Sequence, residues 1–167
     1  VAAPDVGTWK LLIVDDEKEI QDVTKLALDG FKFSGASLKF ISAFSGEEAK
    51  PMIADNPDTT IILLDVVMET EHAGLEVVKY IREELRNETT RIVLRTGQPG
   101  QAPERTVITE YDINDYKDKT ELTAQKLFTL MFSCLRSYRD ILVLEANRKG
   151  LREVIDASAN IFELQSM

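Results

Sequence analysis

Four apolar runs in this 167-residue sequence end at polar residues able to do chemistry. Lys10-Leu11-Leu12-Ile13-Val14 stops at Asp15-Asp16-Glu17, and Thr60-Ile61-Ile62-Leu63-Leu64 stops at Asp65. Arg91-Ile92-Val93-Leu94-Arg95 stops at Thr96-Gly97, and Lys119 follows the short run Ile113–Tyr116. Runs of this length suit strands buried on both faces. In an open parallel sheet, functional groups gather outside the carboxyl ends of the strands. If these four strands are neighbours, three carboxylates, a hydroxyl and an ammonium converge on one rim. Carboxylates brought together repel, and their ionised forms need a counter-charge. A hard divalent cation, Mg2+ or Mn2+, meets that need with oxygen ligands alone, keeping several waters beside two carboxylates and a backbone carbonyl. The ammonium and the hydroxyl then suit the oxygens of an incoming anion. Such a set fits phosphoryl transfer, where catalysis is mostly positioning plus charge neutralisation.

The elements that must position these groups alternate in type. After the first run, Ile20, Val23, Leu26 and Ala27 recur at helical spacing. Phe31 to Ser37, with two phenylalanines, Gly35 within it and Gly30 just before it, reads as a long connection. Leu38 to Phe44 is a further strand, and Ser45 with Glu48 forms a capping box for a helix through Met52 and Ile53 that Pro51 should distort or shorten. Gly74 opens a helix with Leu75, Val77, Val78 and Ile81 on its apolar face; a fourth helix follows Pro103 through Val107 and Ile108. From Leu122 a long helical pattern begins. Five short strands alternating with helices predict an α/β, doubly wound parallel sheet covered on both faces.

Composition narrows the function classes. The formal charge is −9, and residues 1–120 hold fourteen basic and twenty-three acidic side chains, whereas residues 121–167 hold six of each. With no basic block, nucleic acid and anionic membranes are not expected as direct partners. The single His72 and single Cys134 exclude zinc sites built from His/Cys clusters and any internal disulfide. His72 reads as a surface loop residue and Cys134 as a buried helix-face residue. No apolar run approaches the roughly 18–20 residues that span a bilayer. The expected location is the cytoplasm.

The motifs resemble the receiver domain of bacterial two-component response regulators. The resemblance covers about residues 9–136 and rests on Leu-Leu-Ile-Val-Asp-Asp-Glu at 11–17, Leu-Leu-Asp-Val-Val-Met at 63–68, Leu-Arg-Thr-Gly at 94–97 and Asp-Tyr-Lys-Asp-Lys at 115–119. The separations, 49 from Asp16 to Asp65, 31 to Thr96 and 23 to Lys119, fit that family. The resemblance implies a flavodoxin-like sheet of order 2-1-3-4-5 with an extended C-terminal helix. It implies that Asp65 accepts a phosphoryl group from a partner histidine kinase or phosphotransfer protein. Asp15, Asp16, Asp65 and the backbone carbonyl of Val67 would hold Mg2+, Thr96 and Lys119 would bind the phosphoryl oxygens, and Thr96 and Tyr116 would act as the switch pair. Three positions depart from the family pattern. Glu69 stands where Pro is usual, the following Gly comes one residue late at Gly74, and Thr120 replaces the Pro after the lysine. Lys117 competes with Lys119 for the phosphate role, and spacing from Tyr116 favours Lys119.

Two other functions are weighed beside this one: a receiver-like scaffold independent of phosphorylation, and an Asp-nucleophile phosphatase. The phosphatase class places a second Asp two residues after the nucleophile, where this chain has Val67. The expected organisation is a leader over 1–8, a receiver over 9–136 and a helical linker or coiled-coil extension over 137–167. With Leu127 at heptad position a, the a positions are Leu127, Cys134, Ile141, Arg148, Ile155 and Phe162; Leu130, Leu144 and Leu151 supply apolar d positions. This pattern, interrupted by Gly150, predicts a homodimer through the last helix. It continues to Met167 without a stop signal, which reads as a segment leading to an output module.

Overall fold

The computed structural model describes residues 7–97 and 105–165 and, within them, every side chain except those of Thr106 and Phe162. Pro103 and Met167 lie outside the described residues, as does most of the expected leader. In chain order the elements are β1 (Thr8–Val14), α1 (Lys18–Ala27), β2 (Lys32–Phe33), β3 (Ala36–Ala43), α2 (Gly46–Asp55) and β4 (Thr59–Asp65). They continue with α3 (Ala73–Lys79), which passes directly into a π-helical turn at Tyr80–Glu84, then β5 (Arg91–Thr96), α4 (Arg105–Glu110), β6 (Asp115–Asp118) and α5 (Ala124–Gln165).

The strands form one sheet in the order β2-β3-β1-β4-β5-β6. From β3 to β6 every pairing is parallel, so the expected five-stranded doubly wound sheet is present. The middles of its central strands, Leu11–Val14, Ile61–Leu64 and Ile92–Leu94, are apolar because both faces are covered. Leu11, Ile13, Ile61, Leu63 and Val93 point to the side of α1 and α5, where they meet Leu28, Phe31, Leu127, Met131 and Leu135. Leu12, Val14, Ile62, Leu64, Ile92 and Leu94 point the other way, onto Ile53, Val77, Val78 and Ile81. This alternation places Asp15, Asp65 and Arg95, each next in line after a residue facing α2 and α3, on the α1 side of the rim.

The connection after α1 is a sixth strand rather than a plain loop. Lys32↔Ser37 and Phe33↔Ala36 pair antiparallel around Ser34-Gly35, both left-handed at φ 50° and 79°. Two positive-φ residues are what a two-residue hairpin turn requires. The hairpin is fastened by its aromatics. Trp9 Nε1 donates to Phe33 O at 2.9 Å, and Phe31 stacks against Phe128 and Phe132 of α5 at 4.8 and 4.9 Å between centroids.

Three local expectations need correction. The face of α1 that packs inward is polar: Gln21 and Thr24 are buried, while Val23 and Leu26 are exposed by 64% and 76%. Apolar spacing misleads here because the strand ends beneath α1 present unpaired carbonyls and a guanidinium, which need hydrogen-bonding partners. Pro51 does not end α2, which runs on to Asp55. The last strand begins at Asp115, two residues after Ile113, because Asp112 turns left-handed at φ 50° and Ile113 N still closes α4 on Ile108 O. Half of the capping box is as expected, with Ser45 Oγ accepting from Glu48 N at 3.1 Å; Glu48 Oε2 reaches back one residue past the cap and accepts from Phe44 N at 2.8 Å.

α5 is continuous across residue 137. Leu127, Met131, Cys134, Leu135 and Tyr138 are buried on the sheet, so the first heptad positions pack on the chain's own core. Burial also pushes the Cys134 thiol up to about 12, which makes it unreactive at neutral pH. Beyond Leu142 the helix leaves the sheet, with Leu144, Leu151 and Ile155 exposed by 66%, 63% and 58%. No helix among the described residues is long and apolar enough to cross a membrane.

Candidate functional site

Asp15 and Asp65 lie at the ends of the adjacent strands β1 and β4, and both are buried, at 0% and 3% exposure. Asp15 is built in by its backbone as much as its side chain. Its N–H donates to Ala43 O at 3.2 Å, and Gln21 Nε2 of α1 donates both to Asp15 O and to Ala43 O at 2.9 Å. That double hydrogen bond explains why α1 turns a glutamine inward. Asp15 Oδ1 accepts from Glu17 N at 2.9 Å, and the buried Oδ2 is left to ionic partners.

Lys119 crosses the rim from the loop after β6. Its backbone N–H donates to Thr96 O at 2.8 Å, which fixes the loop beside the end of β5. Its ammonium lies 2.9 Å from Asp65 Oδ2, 3.0 Å from Asp15 Oδ2 and 2.9 Å from Glu17 Oε1. Burial alone would pull the Lys119 pKa down, but its bonds to Glu17, Asp65 and Asp15 more than reverse this and hold it above the usual lysine range. For Asp65, burial pushes the carboxyl up and Asp15 adds to it; Lys119 and the N–H of Val67 only partly offset them. Lys117, the competing lysine, is more exposed and pairs only with Asp115, at 3.7 Å.

The remaining expected residues take these places. Asp16 and Glu17 are exposed at the rim, and carboxylate oxygens of Asp15, Asp16, Glu17 and Asp65 all lie within 4.8 Å of one another. An all-oxygen cluster in which the buried Asp15 Oδ2 already faces the Lys119 ammonium, a charge that a metal ion could replace, fits a hard divalent cation. Val67 N donates to Asp65 Oδ1 at 3.3 Å, so the loop after β4 folds over the Asp65 carboxylate. Thr96 is buried at the end of β5. Tyr116, on β6, packs against the α2/α3 side of the core, with its hydroxyl buried and unpaired. All peptide bonds are trans among the described residues, including that to Thr120. Asp118 Oδ1 instead organises this loop by accepting from Thr120 N and Oγ1, both at 2.8 Å.

Two residues near the site escape detection from spacing. Arg95, opposite Asp65 in the β4–β5 register, has a buried guanidinium 3.8 Å from Asp15 Oδ2. Glu69 reaches across to α2, where its carboxylate accepts from Gly46 N at 3.0 Å and Glu47 N at 3.2 Å. With Ser45 on Glu48 N, the first three amides of α2 are satisfied, two of them by a loop 22 and 23 residues away. Glu69→Ala should therefore lower stability by about 1 kcal/mol, as loss of a helix cap does. Chemical denaturation checks this, and an unchanged midpoint would show the clasp to be inert.

Comparison with known proteins matches this geometry. The 3'3'-cGAMP-specific phosphodiesterase 2 of Vibrio cholerae is 55% identical over 159 residues, which is 95% of this chain but 30% of that protein, so the chain spans less than a third of that relative. A chemotaxis protein CheY homolog of Campylobacter jejuni is 30% identical over 107 residues, 64% of this chain and 78% of that protein. Among solved structures, the N-terminal domain of a response regulator/sensory box/GGDEF three-domain protein from Carboxydothermus hydrogenoformans superposes with a TM-score of 0.66 at 22% identity, covering 80% of this chain and 98% of that one. A family described as a domain of unknown function, DUF3369, matches residues 131–167, within and just beyond α5. A rim of Asp15, Asp65, Thr96 and Lys119 on a sheet of this order, with a CheY homolog aligned over most of its own length, leads to one assignment: the chain belongs to the receiver-domain family of two-component response regulators.

Proposed function

We propose that the chain is a phosphorylation-dependent switch in which Asp65 accepts a phosphoryl group from a phosphohistidine of a partner histidine kinase or phosphotransfer protein. The observation that carries this is the Lys119 ammonium, held within 3.0 Å of both buried carboxylates of the pair. An Asp65 oxygen forms the new P–O bond as the P–N bond to the imidazole breaks. Lys119, already charged, leaves Asp65 to hold an oxygen of the transferred group, and Thr96 holds another. Asp15, Asp16, Asp65 and the carbonyl of Val67 would hold a divalent cation, which when bound would supply neutralisation of the charge that builds on the phosphoryl oxygens. Movement of Thr96 toward the phosphoryl group opens space for Tyr116, whose buried, unpaired hydroxyl makes its present position easy to leave. Intact mass after incubation with Mg2+ and acetyl phosphate tests the reading. Wild type should gain one phosphoryl group and Asp65→Ala none. Equal labelling of the two would defeat it, and turnover of added phosphoesters would favour a phosphatase.

The output is reached through α5, which packs on the sheet at one end and runs free at the other. Because the Vibrio cholerae relative is a phosphodiesterase of which this chain spans 30%, we read the chain as the regulatory segment of a cytoplasmic protein with an output of that kind. The receiver itself is not the hydrolase in this reading. The exposed Leu144, Leu151 and Ile155 would pair with a second copy. Leu151→Glu combined with Ile155→Glu should convert a dimer to a monomer in light scattering with the circular dichroism of the receiver retained. A wild-type monomer, or a dimer that survives both charges, would rule out pairing through this stripe.

A further inference from the structure

Arg95 is 3% exposed, and a guanidinium so deeply placed needs a counter-charge. Among the described residues, its hydrogen bond runs from Nη1 to Thr24 Oγ1 at 3.0 Å, and the Thr24 hydroxyl itself donates to Ile20 O at 2.7 Å. Nε and Nη2 make none. What Nη2 faces is Asp15 Oδ2 at 3.8 Å, the same oxygen that Lys119 approaches to 3.0 Å. Burial pulls the guanidinium pKa down, and Asp15 and Asp65 oppose that. The acidic pair is thus held between two cations of different freedom. Lys119 also contacts the exposed Glu17 and can swing toward solvent when another cation takes its place. Arg95 has no such exit, because its neighbours are α1 and the core, and Thr24 holds it.

We propose that Arg95 is a fixed internal counter-ion of the acidic site, positioned by Thr24, whose charge lowers the affinity of that site for a divalent cation. This rests on the receiver reading, in which Asp15 and Asp65 are cation ligands. A cation that binds Asp15 Oδ2 displaces Lys119 but must remain near the Arg95 charge, and that repulsion weakens binding. The site would then fill only at higher cation concentration than the same carboxylates alone would need, which makes Arg95 a positioning and tuning residue rather than one that touches substrate.

The test is Mg2+ titration followed by calorimetry. Arg95→Met should bind Mg2+ at least about tenfold more tightly than wild type, and Arg95→Lys should return to within a few fold of it. A merely structural arginine would leave affinity unchanged or weaken it on removal, and either result from folded Arg95→Met overturns the proposal. Metal-free thermal melts give a second, independent readout. Arg95→Met should lower the midpoint in the wild-type background but not in Asp15→Asn, where the arginine has lost its partner; equal effects in both backgrounds overturn the pairing. The double substitution removes both buried charges together, so it should fold even where Arg95→Met alone does not. Failure of wild type to bind Mg2+ in an Asp65-dependent way would instead defeat the underlying site assignment, and the metal-free melts would still decide the Arg95–Asp15 pairing.

Discussion

Lys119→Met is expected to destabilise the Mg2+-free protein by about 3 kcal/mol, the lower end of what removing one partner of a buried ion pair costs. In a domain of this size that corresponds to a fall in melting temperature of roughly 6–12 °C. The lysine side chain is 10% exposed and lies against Asp15, Glu17 and Asp65, so its loss leaves three carboxylates facing one another with only Arg95 nearby. Two further consequences follow from the charges. First, Mg2+ can take the ammonium's place, so saturating Mg2+ should recover most of the loss. Second, the deficit should be largest near neutral pH and shrink toward both ends of the range. Asp65 is already held above its ordinary value by burial, with Lys119 partly opposing this. A carboxyl raised in the folded state binds its proton more tightly there than in the unfolded chain, so its contribution to stability falls as pH rises through the window above 3.8. Without Lys119 that window extends further upward, and the deficit should shrink on acidification toward pH 5. At the alkaline end, the Lys119 pKa is raised, so its contribution is complete below the ordinary lysine value of 10.5 and is lost only as pH climbs beyond it. Melting curves with and without Mg2+ across this pH range check all three statements. A deficit that Mg2+ does not reduce would mean that Lys119 acts through packing and not through charge.

How much of this arrangement is legible in the sequence depends on the range of the interaction. Leu11–Val14 and Ile61–Leu64 announce themselves because a strand buried on both faces must be apolar at every position, and the polar residue that ends each run then marks the rim. Asp15, Asp65, Thr96 and Lys119 follow from that rule plus spacing, and the structure brings them to one place. Arg95 does not follow from it. A charged residue inside a strand looks like an edge or a surface position, and only the approach of α1 and Asp15 shows why it is buried. The same tertiary demand inverts α1: Gln21 and Thr24 are turned inward to serve carbonyls and a guanidinium, and Val23 and Leu26 are left outside. Glu69 looked like the loss of a proline, and its gain as a cap for α2 depends on a contact 23 residues away. The hairpin was closer to being readable. Ser34-Gly35 is a usable two-residue turn, but a strand of two residues, Lys32–Phe33, carries no periodicity to flag it.

Gly74→Ala should be the most damaging small substitution in the site, although it adds a single methyl group. A Cβ at Gly74 would lie 2.1 Å from Asp65 O, 2.8 Å from Val66 Cα and 3.0 Å from Asp65 C. All three are backbone atoms at the end of β4, and the Gly74 N–H donates to Val66 O at 3.0 Å, so no side chain can rotate away to make room. Relief requires α3 to move off the strand that carries Asp65. Overpacking of a core ordinarily costs about 1–3 kcal/mol, and contact with immovable backbone places this case at or above the upper end. Because the shift is applied at Asp65 itself, phosphoryl acceptance from acetyl phosphate should fall with stability, and Mg2+ should not restore it. The late position of this glycine, one residue beyond the usual family spacing, is thereby explained: the loop over Val66–His72 is longer, yet the closest approach of helix and strand still demands a residue without a side chain. Gly150 is the internal contrast. It lies within α5 with nothing within 4 Å of its would-be Cβ, so Gly150→Ala should raise helix stability locally by up to about 1 kcal/mol. Denaturation midpoints and far-ultraviolet circular dichroism of the two variants should move in opposite directions. A Gly74→Ala protein that melts and labels like wild type would show that the end of β4 yields easily, and with it that the acceptor carboxylate is not held by the close packing of α3.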